Sequence, residues 1–491
     1  MARRNTQLLA QSGAPCRVTK LSRASGQPVH GEEVTKVWLH KHGHILSAFE
    51  FQKVWDHQAV IQHIRDGFGE RIPEDVSLEF LMACGNKLVC PKLQKGQELN
   101  GVLIHKVYKT KALYVKPSRM LLEILLELAS KINMNQRCRV NINRSAVWEG
   151  AVRGFKRLSY EPHLMVSVKF SDDMGESEEG VDLGGPRREF LRLLIESIAK
   201  SPMFEGKENS KNLALYSTAL REDWYYIAGR AIAISLVHGG PPPNFLSLVL
   251  FSLLIDVPAN PVPEDIADAD LLEKVKKVSE STSIEDLEKA KAPLLDYLAN
   301  AGCLRPLRSI TDRDLLVQDI VMFQVIHRVQ GPFQRFCEGL KILGVLEKIQ
   351  KYPDSFRPLF CYEPSALTAD QLDDLFTIHL SSEGSNKRVA EEVVIPFWRD
   401  YLQDAEEEGP SKLQKILAFA TGASVVPPIG FSPSPSVEFI HKGDDDFSST
   451  PLFPMANTCI NCIKLPLHVS YQLLKEKFDF ALGNTYGFGR A

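Results

Sequence analysis

At 491 residues, 44% hydrophobic and 24% charged, the chain has a globular composition and length enough for two or three domains, each with a core. A net charge of -3 gives no general attraction to nucleic acid or an anionic membrane. The longest nearly apolar run, Phe245 to Val257, is too short to span a bilayer and carries Asp256, so neither a nucleic-acid nor a membrane partner is expected.

Residues 1–30 carry Arg3, Arg4, Arg17, Lys20 and Arg23 and no acidic side chain, which predicts a disordered basic tail over 1–32 and no secretory signal. The cysteines (Cys16, Cys84, Cys90, Cys138, Cys303, Cys337, Cys361, Cys459 and Cys462) are odd in number and lack framework spacing. A reducing compartment, cytoplasmic and/or nuclear, is expected, with most thiols acting as core filler.

Residues 33–117 read as a small α+β module. Lys36 to His42 alternates like a strand and Ala59 to Phe68 has helical spacing. Val76 to Leu93 and Gly101 to Val115 read as further strands, with a Gly85-Asn86 turn between strand-like runs. That order suggests a β-grasp type. His40 and His42 would share one strand face near His44, but no cysteine or carboxylate at ligand spacing completes a site, and no metal is expected.

Lys116-Pro117-Ser118 breaks the pattern before an apolar helix over Arg119 to Ile132, and beyond Arg144 the chain is mostly helical with strands such as Leu164 to Phe170. The run Gly184-Gly185-Pro186-Arg187-Arg188-Glu189-Phe190 reads as a tight turn starting a helix, with Pro186 in its first turn and an apolar stripe of Phe190, Leu191, Leu194, Ile195 and Ile198. It has neither a P-loop ending nor a dinucleotide glycine pattern, so no cofactor is expected.

Helices are predicted at Trp224–Val237, Phe245–Val257, Asp270–Ser279, Ile284–Ala299 and Asp314–Gln330. Ser283 is placed as an N-cap, and Thr368 to Gln371 as a capping box. The polar, glycine-containing run Ser381 to Asn386 reads as a hinge. Helices follow at Val389–Leu402 and Lys412–Ala420, and then short strands frame Cys459, with Asp444-Asp445-Asp446 in a loop.

Cys459 sits where the polar run Ala456-Asn457-Thr458 passes into the alternating Ile460, Cys462/Ile463, Leu465 and Pro466. A loop-to-strand junction can present a thiol to solvent while the strand anchors it, and the thiolate is the nucleophile. Three readings compete: a buried filler thiol, a Cys459–Cys462 redox or zinc pair, and a covalent acceptor. For zinc, no second Cys pair or His pair follows. For redox, a strand replaces the helix start expected after the first cysteine. An acceptor of thioesters needs no fixed Cys–His pair, because exchange between thioesters is nearly balanced and positioning does much of the work.

The run Ala456 to Asn461 with Lys464-Leu465-Pro466 resembles the active-cysteine segment of HECT-type ubiquitin ligases. Leu417 to Gly422 and Pro428-Ile429-Gly430-Phe431 resemble the opening of the same lobe, and Phe488 stands fourth from the end of the sequence, where that family keeps a functional phenylalanine. Asp182, Gly184, Gly185, Arg188, Glu189 and Phe190 match a signature of the other lobe, read here as architecture rather than catalysis. The wording around Val168 to Gly206 and Leu375 to Leu402 is similar to the mitosis-entry (G2/M phase-specific) subgroup. Asn457 and Ile460 depart from the residues frequent in the family.

The resemblance implies an α+β fold: a bilobal HECT domain with a mostly helical N-lobe over 118–380, a hinge at 381–386 and an α/β C-lobe over 387–491. It implies that Cys459 accepts ubiquitin from a conjugating enzyme as a thioester and passes it to a lysine of a protein substrate. Thr458 would assist at the site, and Phe488 would help place the C-lobe and ubiquitin. A non-catalytic scaffold on the same fold, binding ubiquitin or another partner, is the alternative.

Overall fold

The structure, a computed structural model, describes residues 16–20, 45–49, 51–68, 77–84, 87–89, 91, 97–108, 113–118, 121–171, 178, 182–363, 367–441 and 453–484. The chain divides into two compact units, Met1–Glu123 and Ile124–Ala491. None of the helices in the described residues is long and apolar enough to cross a membrane.

The smaller unit is built on a five-stranded sheet of β1 (Cys16–Lys20), β2 (Ile45–Phe49), β3 (Ser77–Cys84), β4 (Lys87–Val89) and β5 (Leu113–Ser118) in the order β2-β1-β5-β3-β4. β1 pairs antiparallel with β2 and parallel with β5, the central arrangement of a β-grasp. Helix α1 (His57–Phe68) buries Val60, Ile64 and Phe68, one side of a helical stripe.

Two expectations are corrected. Cys16–Lys20 is a strand inside the predicted tail: excess basic charge does not oppose a strand that finds backbone partners on both edges. Gly101–Tyr108 is a helix, α2, rather than the start of a strand; its buried Gly101, Ile104 and Tyr108 follow helical spacing, and the Asn100 side chain caps the Leu103 N–H at 3.0 Å. The Lys36–His42 strand, His40, His42, His44 and the Gly85-Asn86 turn lie outside the described residues.

In the larger unit, β6 (Asn133–Asn143) and β7 (Leu164–Ser171) run parallel, joined through α3 (Val147–Phe155). The predicted apolar stripe is the buried face of α4 (Gly185–Lys200). An antiparallel pair, β8 (Phe204–Lys207) and β9 (Ser210–Leu213), follows, and helix α5 (Trp224–Val237) is buried on nearly every side. A separate apolar cluster gathers α6 (Ala269–Ser279) and α7 (Asp312–Val325) around Leu271, Val275, Leu316 and Ile320. Helix α8 (Gln330–Leu340) returns to pack on α5.

The last core is distinct. It is formed by α9 (Ala369–Leu375), α10 (Asn386–Glu408), α11 (Pro410–Thr421) and α12 (Tyr471–Gly483) against a sheet of order β10-β11-β13-β12. Its strands are β10 (Thr377–Ile378), β11 (Ser436–Ile440), β12 (Met455–Asn457) and β13 (Cys462–Pro466). Val394, Trp398, Tyr401, Leu402 and Ala405 recur at helical spacing on α10, and the Trp398 ring lies 5.9 Å from both Phe376 and Phe478. On β13 the alternation puts Ile463 and Leu465 into this core and turns Cys462 the other way.

Ser381–Asn386 therefore joins two elements of one core, since α9 and β10 precede it and already pack there. Its first residue is held: the Ser381 N–H and Oγ donate to the Glu391 carboxylate at 2.7 and 2.5 Å, and His441 Nε2 stands 2.6 Å from the same group. Burial opposes ionisation of Glu391, but the Ser381 donors and His441 outweigh it and hold the carboxyl below its ordinary 4.5. Glu391→Ala would strand the Ser381 N–H and is expected to cost about 1–3 kcal/mol in denaturant unfolding. Because the folded value is depressed, that contribution is present above the ordinary carboxylate range and lost as pH falls through the folded value, so the variant should also show a flatter acid limb.

Candidate active site around Cys459

Cys459 lies in the turn that links β12 to β13, two antiparallel neighbours with Asn457 opposite Cys462. Local side chains build that turn. Asn457 Oδ1 accepts from the Cys459 N–H at 3.1 Å, and the Asn457 carbonyl accepts from the Ile460 N–H at 3.2 Å. Asn461 closes it with φ of +55°, a left-handed conformation that asparagine tolerates better than most residues.

The two neighbouring cysteines differ in what they can do. Cys459 is half-buried, whereas Cys462 is fully buried, with Sγ 3.7 Å from the Ile463 carbonyl. Burial raises the Cys462 thiol above its ordinary value, which removes nucleophilic character. Among the described residues no group of three or more His, Cys, Asp or Glu side chains is placed to hold a metal ion.

Thr458, the residue before Cys459, also meets the other lobe. A Cβ placed on Gly185, the first residue of α4, would lie 2.2 Å from Thr458 Oγ1, so the helix start and the cysteine turn are in direct contact. His468 is buried, its Nε2 has no hydrogen-bond partner, and burial lowers its pKa, with Lys477 adding to the effect. Phe488 lies outside the described residues.

The signature read as architecture does serve that purpose in part. Asp182 Oδ1 accepts from the Gly184 N–H and Oδ2 from the Val168 N–H, both at 2.8 Å, which pins the turn to β7. Glu189 pairs with Arg144 at 2.8 Å, and Phe190 is fully buried. Arg188 behaves differently: it leaves its own lobe and donates to the carbonyl of Thr458, next to the cysteine. A buried arginine at a helix start reads in sequence as a solvated charge, and its membership in the signature was the one available signal.

Residues 192–491 match the model of the HECT domain, described as a ubiquitin-transferase. The chain is 40% identical over 365 residues to the G2/M phase-specific E3 ubiquitin-protein ligase of Gallus gallus, covering 74% of this chain and 47% of that protein. The Homo sapiens protein of the same name is 37% identical over 368 residues, covering 74% and 49%. The E3 ubiquitin-protein ligase Smurf1 of Drosophila melanogaster is 23% identical over 389 residues, covering 74% and 35%. The chain thus spans less than half the length of these relatives. The match begins inside α4 and runs on through the strands that carry the cysteine turn: the chain belongs to the HECT-domain (ubiquitin-transferase) family.

Proposed function

We propose that this chain transfers ubiquitin through a thioester on Cys459. The Cys459 thiolate attacks the thioester carbonyl that joins ubiquitin to a conjugating enzyme; the new carbon–sulfur bond forms and the enzyme's cysteine leaves as a thiolate. A lysine amine of a protein substrate then attacks the Cys459 thioester. The amide bond forms, Cys459 leaves as a thiolate and the amine's proton passes to solvent. No cofactor enters either step.

The observation that carries this reading is the half-exposed Cys459 on a turn tied at both ends to a rigid sheet. Such mounting fixes the nucleophile while leaving approach open, which is what a positioning-driven exchange needs. Thr458 is proposed to shape the turn, and Phe488 to help place ubiquitin and the second lobe.

The conjugating enzyme is proposed to dock on the helical cluster of the first lobe. Leu295, Leu304 and Leu315 stand exposed there beside a well-formed core, and exposed leucines in number suit a protein partner. The joint between the lobes is proposed to precede α9, because α9 packs in the second lobe's core, and a swing about such a joint would carry the Cys459 turn with it.

The test is a charging assay. Purified chain with ubiquitin, ATP, activating enzyme and a panel of conjugating enzymes is expected to give a ubiquitin adduct that reductant removes. No adduct with any active conjugating enzyme would overturn the proposal and leave a binding scaffold.

A further inference from the structure

We infer that Arg188 is a positioning residue for the transfer: reaching across from the first lobe, it holds the Cys459 turn in one shape while the lobes are in contact. The inference rests on the thioester reading above.

Arg188 is only 4% exposed, yet its guanidinium serves nothing in its own lobe. Nε donates to the Thr421 carbonyl at the end of α11 at 2.7 Å, and Nη2 donates to the Thr458 carbonyl and to Asn461 Oδ1, both at 2.5 Å. Among the described residues no carboxylate stands within ion-pair distance of it. Burying a cation on neutral acceptors alone is expensive, and an apolar side chain would stabilise a helix-to-lobe contact better. Burial accordingly pulls the guanidinium down to about 10, Arg187 adding to the effect and Asp182 and Cys459 opposing it, so it still carries its charge at neutral pH.

The acceptors identify what the cost is for. Thr458 and Asn461 bracket Cys459, and one Nη2 group that donates to both, while Nε is held on Thr421, fixes the path of the chain between them. Asn461 is fully buried, and its amide donates to the Pro433 carbonyl at 2.7 Å, which orients Oδ1 toward Arg188. Its own carbonyl accepts from the Ser436 N–H at 2.9 Å, tying the turn back to β11. Gly185 admits this approach, since any side chain there would strike Thr458.

The experiment follows the two transfers separately in the full chain. Charging from the conjugating enzyme is timed first, then discharge of the preformed adduct to free lysine. Arg188→Gln, which keeps a polar side chain in place, is expected to slow at least one step by about tenfold or more. Its melting temperature should stay within about 2 °C of wild type. Gly185→Ala, which leaves Arg188 intact but wedges the contact, should slow the same step.

Asn461→Gly, which keeps the left-handed turn and removes the acceptor, should add little to Arg188→Gln if the two act as one unit. A merely structural arginine would instead move the melting temperature and combine additively. A wild type that charges while Arg188→Gln runs both steps within about twofold would overturn this inference alone. A wild type that fails to charge would sink the thioester reading, and this inference with it.

Discussion

Cys459→Ala is expected to give no reductant-sensitive ubiquitin adduct at all, while Cys462→Ala should charge at close to the wild-type level. Both thiols belong to one short segment, and the resemblance puts the chemistry on Cys459. Their surroundings separate them. Cys459 is half-exposed on the turn, and Cys462 is fully buried as the first residue of β13, its thiol raised by burial.

A buried, protonated thiol has neither access to a thioester nor the charge to attack it. Losing the Cys462 sulfur should cost about 1 kcal/mol of stability, as for an ordinary small core truncation, and leave the turn geometry unchanged. Gels run with and without reductant on wild type and the two variants decide the matter. An adduct that survives Cys459→Ala, or vanishes equally in both variants, would contradict the assignment.

The cysteine was legible in sequence because its signals are local: a polar run, an alternating run and a proline, all contiguous. The helix capped by Thr368, and the stripe on α4, were legible for the same reason. Arg188 was not, because its acceptors lie 233 to 273 residues away along the chain, where neither periodicity nor spacing reaches.

The polar run at Ser381 shows a related limit. Glycine and serine mark a loop, but composition does not tell a loop between lobes from one inside a lobe. The packing of α9 and β10, which precede the run, on the same core and sheet as α10 and β11 is what tells them apart. Gly101–Tyr108 shows the limit of short apolar runs, which are ambiguous between strand and helix until burial reveals the period.

Gly229→Ala and Gly339→Ala should each destabilise the first lobe by about 3 kcal/mol or more, the upper end of overpacking costs, in denaturant unfolding of the full chain. The two glycines sit where α5 and α8 cross with their backbones nearly touching. A Cβ on Gly229 would lie 2.2 Å from the Phe336 carbonyl oxygen, and one on Gly339 would lie 2.1 Å from that of Tyr226. Both obstacles are helix backbone, which cannot turn aside as a side chain does, so the helices must separate. Separation opens gaps around Phe336, which is fully buried.

Alanine returns about 0.5–1 kcal/mol through its better helix propensity, too little to offset this. The reciprocal geometry makes a second prediction about the pair. Once the first alanine has pushed the helices apart, the second has room, so the double variant should cost much less than the sum. Additive losses would mean that the helices yield separately at the two contacts. Neither glycine touches the Cys459 turn, so charging per folded molecule should remain near wild type, which separates loss of the scaffold from loss of the site.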